Sequence, residues 1–159
     1  MTREEKRQQV IEACIAQQQH IAAIAKQEMD SAQQQSNDYG ANVDRYDSYR
    51  SKMMRSRDMY AKQLSNALAA IRRLQEIQHM GPQEHATHGA IVITDKQRFF
   101  LSIGAGKFMV PFKAESPRQA QIPFFAISAQ TPVYLALKDK SVGDSFTING
   151  LTQTIIEIF

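Results

Sequence analysis

Asn37-Asp38-Tyr39-Gly40-Ala41-Asn42-Val43-Asp44 is a polar break between two long segments whose apolar residues recur at helical, nearly heptad spacing. Upstream, Val10, Cys14, Ile21, Ile24, Ala25, Met29 and Ala32 fall on one side of a helix, with Gln17, Gln18, Gln33, Gln34 and Gln35 around them. Downstream, Tyr46, Tyr49, Met53, Tyr60, Leu64, Ala67, Ile71 and Leu74 follow steps of three and four, apart from a polar gap at Ser56 and Arg57. Such spacing keeps one seam turned toward a partner helix. A short loop holding a glycine, here Gly40, joins antiparallel neighbours. The stretch therefore reads as the tip of an antiparallel helical hairpin, acidic over 36–44. With the first helix running from about Glu4 to Gln35, the hairpin is on the order of 45 Å long at 1.5 Å per residue. Each helix buries only one seam, so that length serves reach rather than stability.

Gly81-Pro82 stops the second helix, because proline lacks an amide donor and restricts the residue before it. A linker over 81–88 follows, and then the texture changes. Ala90–Thr94, Arg98–Ile103, Phe108–Val110, Pro123–Ser128, Ser145–Ile148 and Thr152–Ile158 are short runs rich in branched and aromatic residues, which read as strands. Gly104-Ala105-Gly106 reads as a hairpin turn. Pro132 to Leu137 suits a short helix, with Thr131 as its N-cap and proline in its first turn. The expected fold class is α+β: a helical hairpin over 1–80, the linker, and over 89–159 an antiparallel sheet packed on one short helix.

With 43% apolar residues and no long apolar run, the chain has nothing resembling a membrane span of about 20 residues. Met1-Thr2-Arg3-Glu4-Glu5-Lys6-Arg7 is too polar for a secretory leader, which places the expected protein in the cytoplasm, away from membranes. Cys14 is the single cysteine and has no internal partner, so core packing is its expected role. A net charge of +3 is too mild to name nucleic acid as a partner without clustering. Clustering exists, however: Arg45, Arg50, Lys52, Arg55, Arg57 and Lys62 crowd the second helix behind the tip, interleaved with Asp44, Asp47 and Asp58.

No Ser, His and Asp set, CxxC pair or phosphate-binding loop is present. His85 and His88 read as a solvated pair in the linker. The remaining chemistry lies at the tip, where Asp38 and Asp44 bracket the loop; carboxylates there could enter a partner's cavity and help hold Mg²⁺ or orient a water. The competing structural explanation is that these acids complement the start of the second helix, that Asp38 or Asn42 caps it, and that Asp47 pairs with nearby arginines. The basic cluster has two explanations as well: a surface for the phosphates of RNA, or a solvated helix face laced by i to i+4 pairs.

In layout the chain resembles the Gre-type transcript cleavage factors of bacterial RNA polymerase, which join a coiled-coil hairpin to an FKBP-like β domain. The resemblance rests on Thr131-Pro132, Leu137, Lys140 and Val142-Gly143-Asp144, followed by Phe146 and the closing strand through Ile158, and on Asp38, Asn42 and Asp44 at the tip. Two positions depart from the family pattern: Ala41 where an acid precedes the asparagine, and Asp139 where a glycine precedes the lysine. The resemblance implies that the hairpin enters the polymerase secondary channel. There Asp38 and Asp44, supported by Asn42 and Asp47, would help the polymerase's own Mg²⁺-dependent active site cleave backtracked RNA. By their charge Arg45, Arg50, Lys52 and Arg55 are expected to lie near the RNA 3′ end, and the resemblance implies that Gln130, Thr131 and Pro132 dock on the polymerase. The factor would be a monomer with no cofactor of its own, apart from Mg²⁺ shared with the polymerase. Ala41 leaves open a channel regulator of the same fold that does not cleave. Two further alternatives are a prolyl isomerase, since FKBP-like domains include such enzymes, and a coiled-coil protein dimerising through Met53, Met54 and Met59.

Overall fold

A computed structural model describes residues 2–38, 48–112 and 120–159. Two long helices, α1 (Arg3–Asp38) and α2 (Ser48–Gln78), precede strands β1 (Ile91–Thr94), β2 (Arg98–Leu101), β3 (Gly106–Phe112) and β4 (Ala120–Ile127). The short helix α3 (Pro132–Leu137) and strands β5 (Ser145–Ile148) and β6 (Leu151–Ile158) complete an α+β chain. Contacts divide it into two compact units, one of residues 1–16 with 72–159, the other of residues 17–71.

Local chemistry explains the element ends. Thr2 and Glu5 form a capping box at the start of α1: Glu5 N donates to Thr2 Oγ1 at 3.2 Å, and Thr2 N donates to Glu5 Oε2 at 2.8 Å. Thr131 caps α3 as expected, its Oγ1 accepting from Tyr134 N at 3.3 Å, with proline in the first turn. Asn149 and Gly150, at φ of 50° and 77°, make the two-residue turn between β5 and β6.

The sheet corrects two expectations. It is mixed rather than antiparallel: the order is β3-β4-β2-β1-β6-β5, and β2 pairs with β4 in parallel, Phe99 opposite Phe125 and Leu101 opposite Ile127. Gly104 to Gly106 is accordingly no hairpin turn, because β4 lies between β2 and β3 and the segment crosses past it. The β3–β4 pair inserts its second strand next to β2, and strand order of this kind has no local signature. Pro123 is compatible with the arrangement because β4 meets β2 only from Phe125 onward, so at Pro123 the strand has a neighbour on one side alone.

Both faces of the sheet are buried. On the α3 face Val92, Phe99, Leu101, Phe146 and Ile155 pack with Tyr134 and Leu137, and Phe99 meets Phe146 edge-on at 6.4 Å between ring centroids. On the other, Ile91, Phe100, Phe108, Val110 and Phe124 are buried, with Phe108 and Phe124 at 5.9 Å. In the same compact unit Val10, Ile11 and Cys14 of α1 and Leu74 and Ile77 of α2 are fully buried. Arg7 joins these segments: its Nη1 donates to Gly89 O at 2.6 Å and Phe159 O at 3.3 Å, its Nη2 to Ile77 O at 3.1 Å. The segment read as a linker is packed, with Ala86 buried, its N–H donating to Lys140 O at 2.8 Å and its carbonyl accepting from Asp139 N at 2.9 Å.

Burial pushes the Cys14 thiol up to about 12 from its ordinary 9.0. The folded state thus favours the neutral thiol. The stability this contributes is fully present below the unfolded value near 9 and is lost as pH rises toward 12. A thiol-specific reagent at neutral pH is expected to modify Cys14 only as fast as the protein unfolds. Prompt labelling of native protein would refute that burial.

In the second unit the buried line on α1 is Gln18, Ala22, Ala25, Ala32 and Ser36. Ile21 and Ile24, expected on the seam, are 39% and 46% exposed. Continuing the three-four spacing from Cys14 reaches Gln18 and Ala22, which leaves the two isoleucines on the flank. Small residues occupy the seam and larger ones lie outside it.

Candidate functional site

Asp38 is the last residue of α1, exposed, with Oδ1 accepting from Gln34 Nε2 at 2.8 Å, one turn earlier. Beside it Asn37 Oδ1 accepts from Gln33 Nε2 at 3.0 Å, and Gln33 Oε1 accepts from Arg57 Nη1 of α2 at 2.8 Å. Arg57 in turn holds Asp58 through Nε at 3.0 Å and Nη2 at 2.6 Å. A relay from Asp58 through Arg57 and Gln33 to Asn37 thus links α2 to α1. The other expected tip residues, Asn42, Asp44 and Asp47, lie outside the described residues, as do Ala41 and Arg45.

The helix α2 is described from Ser48, and Asp38 is the last described residue of α1. Its second oxygen, Oδ2, has no partner among the described residues. A carboxylate so exposed fits Mg²⁺, which is commonly held by one or two carboxylates together with substrate phosphates. Among the described residues no group of three or more His, Cys, Asp or Glu is arranged to hold a metal.

On α2, Arg50, Lys52 and Arg55 are exposed. Lys52, Arg55 and Lys62 share one flank by their spacing of three and seven, and half-exposed Met59 lies among them.

In the other unit, Gln130 and Pro132 are exposed and Thr131 is half-buried by its capping bond. Sequence reasoning missed Leu135, which is 64% exposed three residues after Pro132, while Tyr134 and Leu137 turn inward. The alternation of Pro132 and Leu135 with Tyr134 and Leu137 carried the signal. Val142 is exposed nearby in sequence. An apolar cleft of about 360 Å³, also missed, is lined by Phe99, Phe125, Ile127, Val133, Ile148 and Leu151 with Gln97 and Asn149. Gln97 Oε1 accepts from buried Gln153 Nε2 at 2.7 Å, and Gln153 Oε1 accepts from Thr94 Oγ1 at 2.7 Å. This chain of bonds fixes the Gln97 amide at the cleft and leaves its NH₂ group free to donate.

Asp139 takes a φ of 62° just after α3, in the left-handed region that favours glycine. Asp139→Gly is expected to stabilise the protein by about 0.5 to 1 kcal/mol in urea denaturation, relief of strain exceeding the added freedom of the unfolded chain. A loss of stability would show that the aspartate is held there by something stronger than its backbone preference.

No protein-family model, curated protein or solved structure matches the chain. Among the described residues no helix is long and apolar enough to cross a membrane.

Proposed function

We propose that the chain is a cytoplasmic, Gre-type factor that binds bacterial RNA polymerase through its secondary channel and assists the enzyme in cleaving backtracked RNA. The observation that carries this reading is Asp38: an exposed acid at the last described position of the long helix α1, followed in sequence by a polar break that supplies a second acid, Asp44. An α1 of that length spans about 54 Å, enough for a hairpin to carry its tip to a buried active centre. Two further points support it. The family pattern has a glycine where Asp139 stands, and Asp139 has the backbone conformation glycine favours. The Thr131-Pro132 pair begins α3 beside exposed Leu135, as a docking surface requires.

In this reading α1 and α2 form the antiparallel hairpin. Asp38 and Asp44 would help hold Mg²⁺ in the polymerase active site, where the ion would supply activation of the attacking water. Asn42 and Asp47 support the tip. Arg45, Arg50, Lys52 and Arg55 attract the phosphates of the extruded RNA 3′ end, an effect that weakens with salt. Gln130, Thr131 and Pro132, extended by Leu135, dock the second unit on the polymerase. With Ala41 in place of one acid, a regulator that occupies the channel without cleaving is the near variant of the same reading.

Polymerase binding tests the reading directly. Leu135→Asp is expected to weaken binding to the core enzyme roughly tenfold while leaving the unfolding temperature unchanged, because the side chain is 64% exposed. Failure of the wild-type chain to bind polymerase at micromolar concentrations would dispose of the proposal.

The apolar cleft favours a second reading, prolyl isomerisation. Phe99, Phe125 and Val133 offer a proline-sized apolar wall, and the Gln97 amide offers a donor for a peptide carbonyl. A proline-containing peptide whose cis/trans exchange is accelerated by the wild type but not by Phe125→Ala would support it. Equal exchange with and without the protein would remove it.

A further inference from the structure

His85, which the sequence presents as a solvated linker residue, is paired in the structure. Its Nδ1 lies 2.8 Å from Ser141 Oγ, 56 positions later in the same compact unit. The main chain beside both residues fixes the pair: Ala86 N donates to Lys140 O at 2.8 Å, and Asp139 N donates to Ala86 O at 2.9 Å. Ser141 also begins a tight turn of its own. Its N–H donates to Asp144 Oδ2 at 2.8 Å, and its carbonyl accepts from Asp144 N at 3.0 Å. Gly143 closes the turn at a φ of 93°, its N–H donating to Ile155 O at 2.9 Å. The N–H of Val142, the residue directly after the serine, has no partner among the described residues.

A serine hydroxyl within hydrogen-bond reach of an imidazole nitrogen is an activated nucleophile, and an unengaged main-chain N–H just after it is a donor for an oxyanion. We propose that Ser141 and His85 form an acyl-transfer site that takes short acyl esters of phenols. In the tautomer protonated at Nε2, His85 Nδ1 accepts the Ser141 proton as Oγ attacks the ester carbonyl carbon. The tetrahedral adduct collapses, its C–O bond to the phenol breaks, and the proton passes from Nδ1 to the departing oxygen. Acyl-Ser141 and the free phenol result. Water then attacks the acyl carbon with the same nitrogen as base, which releases the carboxylic acid and restores the hydroxyl. The surroundings select the substrate. No carboxylate bonds to His85 among the described residues, so the base lacks the partner that stabilises an imidazolium, and the site favours esters whose leaving group is a stable phenolate. His85 is exposed and Ser141 half-buried, so a short acyl group reaches Oγ directly from solvent. The inference goes beyond the polymerase reading and does not depend on it.

The test mixes the full chain with para-nitrophenyl acetate, follows nitrophenolate release, and maps the acetyl group by peptide mass spectrometry. The expected result is a burst of nitrophenolate with the acetyl group on Ser141, an observation on the wild type that needs no variant to fold. His85→Gln keeps an acceptor for the Ser141 hydroxyl but supplies no base, which separates proton transfer from a merely structural bond. Its burst is expected to be roughly a hundredfold slower at an unchanged unfolding temperature, and Ser141→Ala is expected to show none. No acetylation, acetyl groups on lysines alone, a burst that survives in Ser141→Ala, or an equally fast burst in His85→Gln would each overturn the proposal.

Discussion

Replacing Asp38 with asparagine is expected to lower cleavage of backtracked RNA roughly a hundredfold while leaving stability unchanged within about 0.5 kcal/mol. The side chain is exposed and packs into no core. Its bond from Gln34 Nε2 survives the change, because the asparagine carbonyl accepts it equally well. Only the charge is removed, and a charge is what Mg²⁺ requires. Lost cleavage at unchanged stability would mark Asp38 as a functional group. A variant that loses stability and cleavage together would instead make Asp38 a structural residue. The paired measurements are urea denaturation and gel analysis of labelled RNA.

Arg7→Ala is expected to cost about 3 kcal/mol in stability, a large effect for one side chain. The change withdraws three donated bonds, from Gly89 O, Ile77 O and Phe159 O, and opens a cavity between α1, the end of α2 and Phe159. Arg7→Met should cost less, since a chain of similar length fills the space. The order of the two variants separates packing from hydrogen bonding. Equal losses would mean that the carbonyl bonds dominate, and a loss below about 1 kcal/mol for alanine would mean that the segments are held together without Arg7.

Much of this architecture is legible because it is written locally. The six strands appear where branched and aromatic runs place them, and α3 begins where a threonine followed by proline says it should. What is not legible depends on partners distant in sequence. The parallel pairing of β2 with β4 arises because the β3–β4 pair folds back to set β4 against β2, and neither strand's composition records its neighbour. Ile21 and Ile24 suggest themselves for the seam because they are the largest apolar residues of their segment, whereas the seam takes Gln18, Ala22 and Ala25. Apolar size is a poorer guide than phase.

The site divides in the same way. Asp38 stands out in sequence as an acid at a break, and the structure adds that it is exposed and accepts a bond from Gln34 Nε2. Leu135 is hidden within a short apolar run until Tyr134 and Leu137 are seen to point inward. The cleft is invisible in sequence, because Phe99 and Phe125 meet only through the parallel pairing that local composition does not foretell.

The central claim is tested most directly by adding the purified protein to backtracked elongation complexes of bacterial RNA polymerase and resolving the 3′-labelled RNA on a gel. The account predicts short 3′ fragments in the presence of Mg²⁺, produced by the wild type and nearly absent with Asp38→Asn. RNA left intact by a protein that is bound to the complex, or fragments released equally by the wild type and the variant, would contradict it.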